Sequence, residues 1–152
     1  MIVFYRGTSM LSRAIRWFTR SPYSHVAYEQ SNGNLIEAWT HGVRMVADYA
    51  TDHTAGTAVE WYRVDGVTPE QRERAETFMR KQLGKKYDVR GILGFLRHRD
   101  IENQERWFCS ELVFQAFRQA GVELLARVPA FKVSPGDLNQ SPRLILVKSG
   151  VC

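Results

Sequence analysis

Trp107-Phe108-Cys109-Ser110-Glu111-Leu112-Val113-Phe114-Gln115-Ala116-Phe117-Arg118-Gln119-Ala120-Gly121 is the stretch that decides the fold. Leu112, Val113, Ala116, Phe117 and Ala120 recur at helical spacing, and Gly121 is the residue type that most readily takes the left-handed conformation ending a helix. The spacing therefore predicts a helix with Cys109 in its first turn. Backbone N–H groups without intrahelical acceptors and the positive end of the helix dipole favour an anion there, which suits a thiolate. Cys109 is thus a candidate nucleophile, and the backbone at Cys109 and Ser110 a candidate oxyanion site. Position alone does not decide the matter, because a free cysteine often packs as a small hydrophobe. A base elsewhere in the chain has to.

The segment from Tyr23 to Trp39 supplies one. It reads as a β-hairpin turning near Asn32-Gly33. A two-residue Asn-Gly loop would place Glu37 on the same face as Val26 and Tyr28. A three-residue loop, Ser31-Asn32-Gly33, instead pairs Gln30 with Asn34 and Ala27 with Glu37. That second register gathers Val26, Tyr28, Ile36 and Ala38 on one apolar face, which can be buried without a carboxylate, and is the one expected. It sets His25 opposite Trp39, with Glu37 as its diagonal neighbour on the other face. A carboxylate there can fix the orientation and tautomer of the imidazole. Taken singly, His25 also reads as a strand histidine bonded to backbone, and Glu37 as an exposed partner for an arginine.

The rest of the chain is punctuated by short elements. An opening strand leads to a helix capped by Ser9 and running to about Arg20, with Leu11, Ala14, Ile15 and Phe18 inward and Arg13, Arg16 and Arg20 outward. Trp17 sits off that stripe. The basic amphipathic pattern admits membrane-surface contact, although arginines on an outer face are usually just solvated. His41, in the turn after the hairpin, is the rival of Glu37 for the orienting role, and His53 has no evident partner. Val43–Ala47 and Ala58–Asp65 read as strands. Thr68-Pro69-Glu70-Gln71 starts a helix whose inner face is Ala75, Phe78, Met79 and Leu83. A short helix is expected over Val89–Leu96, and His98–Glu105 reads as a charged loop able to act as a lid. Ser134-Pro135-Gly136-Asp137 is a turn, and Arg143–Lys148 a last strand.

Residues 1–152 make one domain, large enough to bury a core without staples. Two cysteines make no disulfide framework, and their spacing to the four histidines fits no zinc template, so neither metal nor cofactor is expected. No apolar run approaches a membrane span. The net charge of +5 favours anionic partners, but the arginines are dispersed and no nucleic-acid motif is present. The first residues pass directly into a strand with no signal-peptide pattern. A cytoplasmic location as synthesised is expected, with phage association or another export route needed to reach an extracellular target.

Tyr23-Ser24-His25-Val26-Ala27-Tyr28, Leu35-Ile36-Glu37-Ala38 and Phe108-Cys109-Ser110-Glu111-Leu112-Val113 together resemble the circularly permuted branch of the NlpC-type papain-like superfamily, the YaeF/YiiX-like enzymes. The order histidine, polar residue, cysteine is the permuted one, and Tyr87-Asp88 and Pro135-Gly136-Asp137-Leu138 extend the likeness over most of the chain. The resemblance implies an α+β papain-like fold, with an antiparallel sheet or partial barrel packed against the cysteine helix. It implies a cysteine amidase, peptidase or acyl hydrolase of bacterial or phage type, with Cys109 as nucleophile, His25 as base and Glu37 as the orienting third group. Glu37 stands where many relatives carry a histidine or another polar residue. Tyr87, Ser24, Arg6 and Trp39 are candidate pocket residues. The substrates implied are a peptide, a peptidoglycan fragment or an acyl-lipid. Transfer of the acyl group to an amine or lipid, and a non-catalytic binding or phage-structural module, are the alternatives.

Overall fold

Strand β1 (Ile2–Arg6) lies inside a six-stranded antiparallel sheet, flanked by β2 (His25–Glu29) and β5 (Ala58–Val64). The sheet continues outward through β3 (Leu35–Trp39) and β4 (Gly42–Val46) on one side and β8 (Leu144–Val151) on the other. The structure is a computed structural model describing residues 1–88 and 105–152. The expected helix over Val89–Leu96 and nearly all of the expected lid, His98–Glu105, lie outside the described residues.

Ile2-Val3-Phe4-Tyr5 is continuously apolar because both faces of the sheet are covered. On one face, Ile2, Phe4, Val26, Tyr28, Ile36 and Ala38 pack with Leu112, Val113, Ala116 and Phe117 of the cysteine helix, α3 (Cys109–Gln119). Helix α2 (Pro69–Arg80), capped by Thr68 with Pro69 at its start, adds Ala75 and Met79 to that core. Leu83, expected on its inner face, lies past the helix end and is partly exposed. On the other face, Val3, Tyr5, Ala27, Leu35, Val59 and Trp61 form a second, smaller core with Tyr49 and Cys152 beside it.

Two short strands, β6 (Lys86–Tyr87) and β7 (Arg106–Trp107), pair in parallel and lead into α3. Ser134–Asp137, expected as a turn, is the capped entry to a short helix, α4 (Pro135–Asn139). The first helix, α1 (Met10–Thr19), starts at the expected Ser9 cap but is rotated about its axis, so that most of its apolar stripe is left outside. Of its expected inward stripe only Ile15 is buried, while Leu11, Ala14 and Phe18 are exposed. Trp17 is exposed beside them. The helical period holds, but periodicity does not say whether an apolar stripe has a protein surface to meet.

Candidate active site

The hairpin adopts the three-residue loop. Gln30 N–H donates to the Asn34 carbonyl at 2.8 Å, Gly33 has φ +87°, and Ala27 pairs with Glu37. The next hairpin, turning at Thr40-His41, pairs Trp39 with Gly42 and so Glu37 with Arg44. Both neighbours use the Glu37 carboxylate. Oε2 lies 2.7 Å from His25 Nε2, while Oε1 accepts from Arg44 Nε at 2.9 Å and Nη2 at 2.7 Å. Arg44 Nη1 in turn donates to Asp52 at 2.6 Å.

The face carrying His25 and Glu37 is closed over, leaving them 6% and 2% exposed. The register avoids a carboxylate in the main core, yet the carboxylate is buried all the same, against the second face and with its partners supplied. Burial pushes the Glu37 pKa up, but hydrogen bonds and charge from His25 and Arg44 outweigh it and hold the group below its ordinary value. For His25 burial acts downward. The Cys109 side chain and the hydrogen-bonded Glu37 carboxylate beside it reverse this and raise its pKa to about 9.

Cys109 is the first residue of α3 and is fully buried. Phe108 before it is extended, and its N–H donates to the Glu111 carboxylate at 3.3 Å, so Glu111 braces the helix start. Ser110 Oγ donates to the Val133 carbonyl at 2.6 Å, which ties the same turn to the 3-10 segment Ala130–Lys132. The backbone N–H groups of Cys109 and Ser110 sit where a helix has no intrahelical acceptors to offer.

A cleft opens beside His25, lined among others by Leu11, Ser24, Trp39, His53 and Tyr87. Trp39 meets the His25 ring edge-on at 4.7 Å. The Tyr87 ring lies 6.0 Å from that of Phe108, and its pKa is pushed far up by burial and then by Cys109 and Asp88. Ser24 Oγ accepts from Gly7 N–H at 2.9 Å and bonds the Tyr5 carbonyl, so its hydroxyl is committed to backbone. Arg6 is not brought to the cleft; its guanidinium pairs with Glu60 at 2.9 Å and lies over the Tyr23 ring. His41 is exposed and bonds only its neighbour Thr40 among its described contacts.

Residues 1–140 match the family model of the permuted papain-like amidase enzymes, YaeF/YiiX, C92 family. The chain belongs to the permuted papain-like amidases. Among members of known sequence it is 28% identical over 169 residues to the probable lipoprotein peptidase YaeF of Escherichia coli K12. That match covers 90% of this chain but 61% of YaeF, so the chain spans about three-fifths of that relative's length. Among solved structures it is similar to the metalloprotein yiiX of Escherichia coli O157:H7, with a TM-score of 0.71 and 21% identity over 98% of this chain and 95% of that one. The shared fold is the α+β, papain-like one.

Two residues of the candidate site, Arg44 and His53, are not marked as site residues by the sequence pattern. Arg44 was within reach: a two-residue turn at Thr40-His41 places it directly opposite Glu37. His53 was not, because it lies on the irregular connection 47–57. Its ring stacks on Tyr5 at 4.0 Å and 5°, and meets Trp39 at 4.9 Å. Burial, then the charge of His25, lowers its pKa to about 4, so it is neutral in the working range. His25, Glu37 and His53 bring their ligand atoms within 4.8 Å of one another, a proximity that chain spacing does not reveal. They fit a resident cation poorly. Glu37 Oε2 and His25 Nε2 already bond each other, and the Arg44 guanidinium occupies the remaining carboxylate oxygen.

Proposed function

We propose that this amidase is thiol-dependent, with Cys109 as nucleophile, His25 as proton carrier and Glu37 as the group that orients the imidazole. The observation that carries the reading is the position of His25, hydrogen-bonded to Glu37 through Nε2 and near enough to the Cys109 side chain for that group to help raise its pKa. Nδ1 is then the nitrogen that serves the sulfur. An imidazolium favoured up to about pH 9 suits a paired thiolate. The thiolate attacks the amide carbonyl carbon, and backbone N–H groups at Cys109 and Ser110 receive the oxyanion. As the C–N bond breaks, the imidazolium gives its proton to the leaving amine, and a thioester is left on Cys109. Water, deprotonated by the now neutral His25, attacks the thioester, releasing a carboxylic acid and restoring the thiol. Arg44 holds Glu37 in place as a positioning residue.

The substrate is an amide in a peptide or an acylated carrier, read from the family's chemistry. With an activated acyl ester, a burst equal to the enzyme concentration should appear, with the acyl group found on Cys109 by mass spectrometry. Cys109→Ala and His25→Ala should both lose it. A second reading keeps the thioester and passes the acyl group to an amine or lipid, and is favoured by the apolar Leu11, Ile15 and Trp39 along the cleft. Product analysis with water and a competing amine separates the two.

A further inference from the structure

Helix α1 carries a contiguous apolar face that no part of the described fold covers. Met10 is 88% exposed, Trp17 75%, Leu11 51% and Phe18 50%, and Ala14 lies exposed among them. At 3.6 residues per turn these five positions span an arc of about 120°. The Trp17 and Phe18 rings rest edge-on against each other at 4.9 Å. A solvated helix does not ordinarily concentrate its largest apolar side chains on its outer side.

The charges around this arc say what fits it. Met10–Thr19 contains no acidic residue, and Arg13 and Arg20, both exposed, stand along one edge. Arg16, on the same side, donates to the Gly7 carbonyl at 3.2 Å, which holds the helix to the end of β1. The opposite edge runs through Leu11 to Ile15, and both line the cleft beside His25. Apolar and aromatic side chains with a basic flank match the boundary of an anionic bilayer, where rings enter the headgroup region and guanidinium groups meet phosphate. A second copy of the chain fits less well. An isologous pairing sets α1 against itself, and the helix has no carboxylate to receive the partner's arginines.

We propose that α1 docks this amidase on anionic membrane surfaces, with its apolar arc in the headgroup boundary and Arg13 and Arg20 on lipid phosphates. Docked in this way, the protein holds its cleft mouth at the bilayer, where membrane-borne amides are presented. That consequence for substrate rests on the amidase reading above; the docking itself does not.

The test is co-sedimentation of the whole chain with vesicles of phosphatidylcholine containing phosphatidylglycerol, and with phosphatidylcholine alone, at low salt. The protein should pellet with the anionic vesicles and much less with the neutral ones. Trp17→Ser with Phe18→Ser should lower partitioning about tenfold or more, with circular dichroism and urea midpoint unchanged. Arg13→Glu and Arg20→Glu should each lower it roughly fivefold on anionic vesicles only. Cys109→Ala should bind as the parent does, which separates docking from catalysis. The proposal is overturned if the protein stays in the supernatant with both vesicles, or if the Trp17/Phe18 variant binds as well as the parent. It is equally overturned if a dimer forms without vesicles and that variant abolishes it, since the face then belongs to a second copy.

Discussion

Glu37 lies directly across the β3–β4 ladder from Arg44, and the guanidinium takes Oε1 with two donors, leaving Oε2 for His25 at 2.7 Å. One carboxylate thus satisfies two cationic groups, one oxygen each, in a place almost closed to water. Removing its negative charge affects both neighbours.

Glu37→Gln leaves one acceptor oxygen where two donors need one, so an NH2 group must face either Arg44 or the imidazole. Turnover in the proposed amidase reaction should fall by about 10²-fold or more. Arg44→Met should cost roughly 2–4 kcal/mol in urea unfolding, because it leaves a buried carboxylate with one partner fewer. In the double variant the surviving oxygen has only His25 to serve. Part of the turnover lost in Glu37→Gln should return, and a double-mutant cycle should show strong coupling.

The pH dependence of stability follows from the same groups. The pKa of His25 is raised from 6.5 to about 9 on folding, so its contribution is complete below 6.5 and is lost as pH rises through 9. Glu37 is lowered from 4.5, so its contribution is present above that value and is lost as the solution is acidified. His53, lowered from 6.5 to about 4, costs stability as pH falls below 6.5, so urea midpoints should be highest near pH 6.5 and decline on both sides. His25→Ala should flatten the alkaline decline.

Gly42 opens β4 at φ +124°, where a side chain is strained, and a Cβ there would stand 2.6 Å from the Lys85 carbonyl oxygen. That oxygen accepts from Val43 N–H at 2.8 Å, so the contact is rigid. Gly42→Ala should destabilise the protein by about 1–3 kcal/mol. It should also lower activity in the proposed amidase reaction beyond the loss of folded protein, because it shifts the strand that carries Arg44. Urea unfolding and activity per folded molecule measure the two effects.

What was legible in the sequence was what local periodicity and turn chemistry control. The register of the first hairpin followed from asking which pairing avoids a carboxylate on the main apolar face. The placement of Cys109 at a helix start followed from five apolar positions and a terminal glycine. What depended on tertiary covering was not legible. Nothing local says that the connection 47–57 brings His53 onto Tyr5, or that the apolar stripe of α1 turns outward. Arg6, expected as a pocket residue, instead meets Glu60 of the neighbouring strand, a partner that only the sheet order supplies.

The central claim is that His25 activates the thiol of Cys109, and the chain's two cysteines provide an internal comparison. Cys152 is the more accessible of the two, but burial and then Asp48 push its pKa up, so it is mostly protonated at neutral pH. The decisive measurement is site-resolved mass spectrometry after brief exposure to a thiol-reactive substrate analogue at neutral pH. The fully buried Cys109 should be modified first, at a rate that falls about tenfold or more in His25→Ala. Modification of Cys152 with Cys109 untouched, or labelling of Cys109 that ignores the loss of His25, would contradict it.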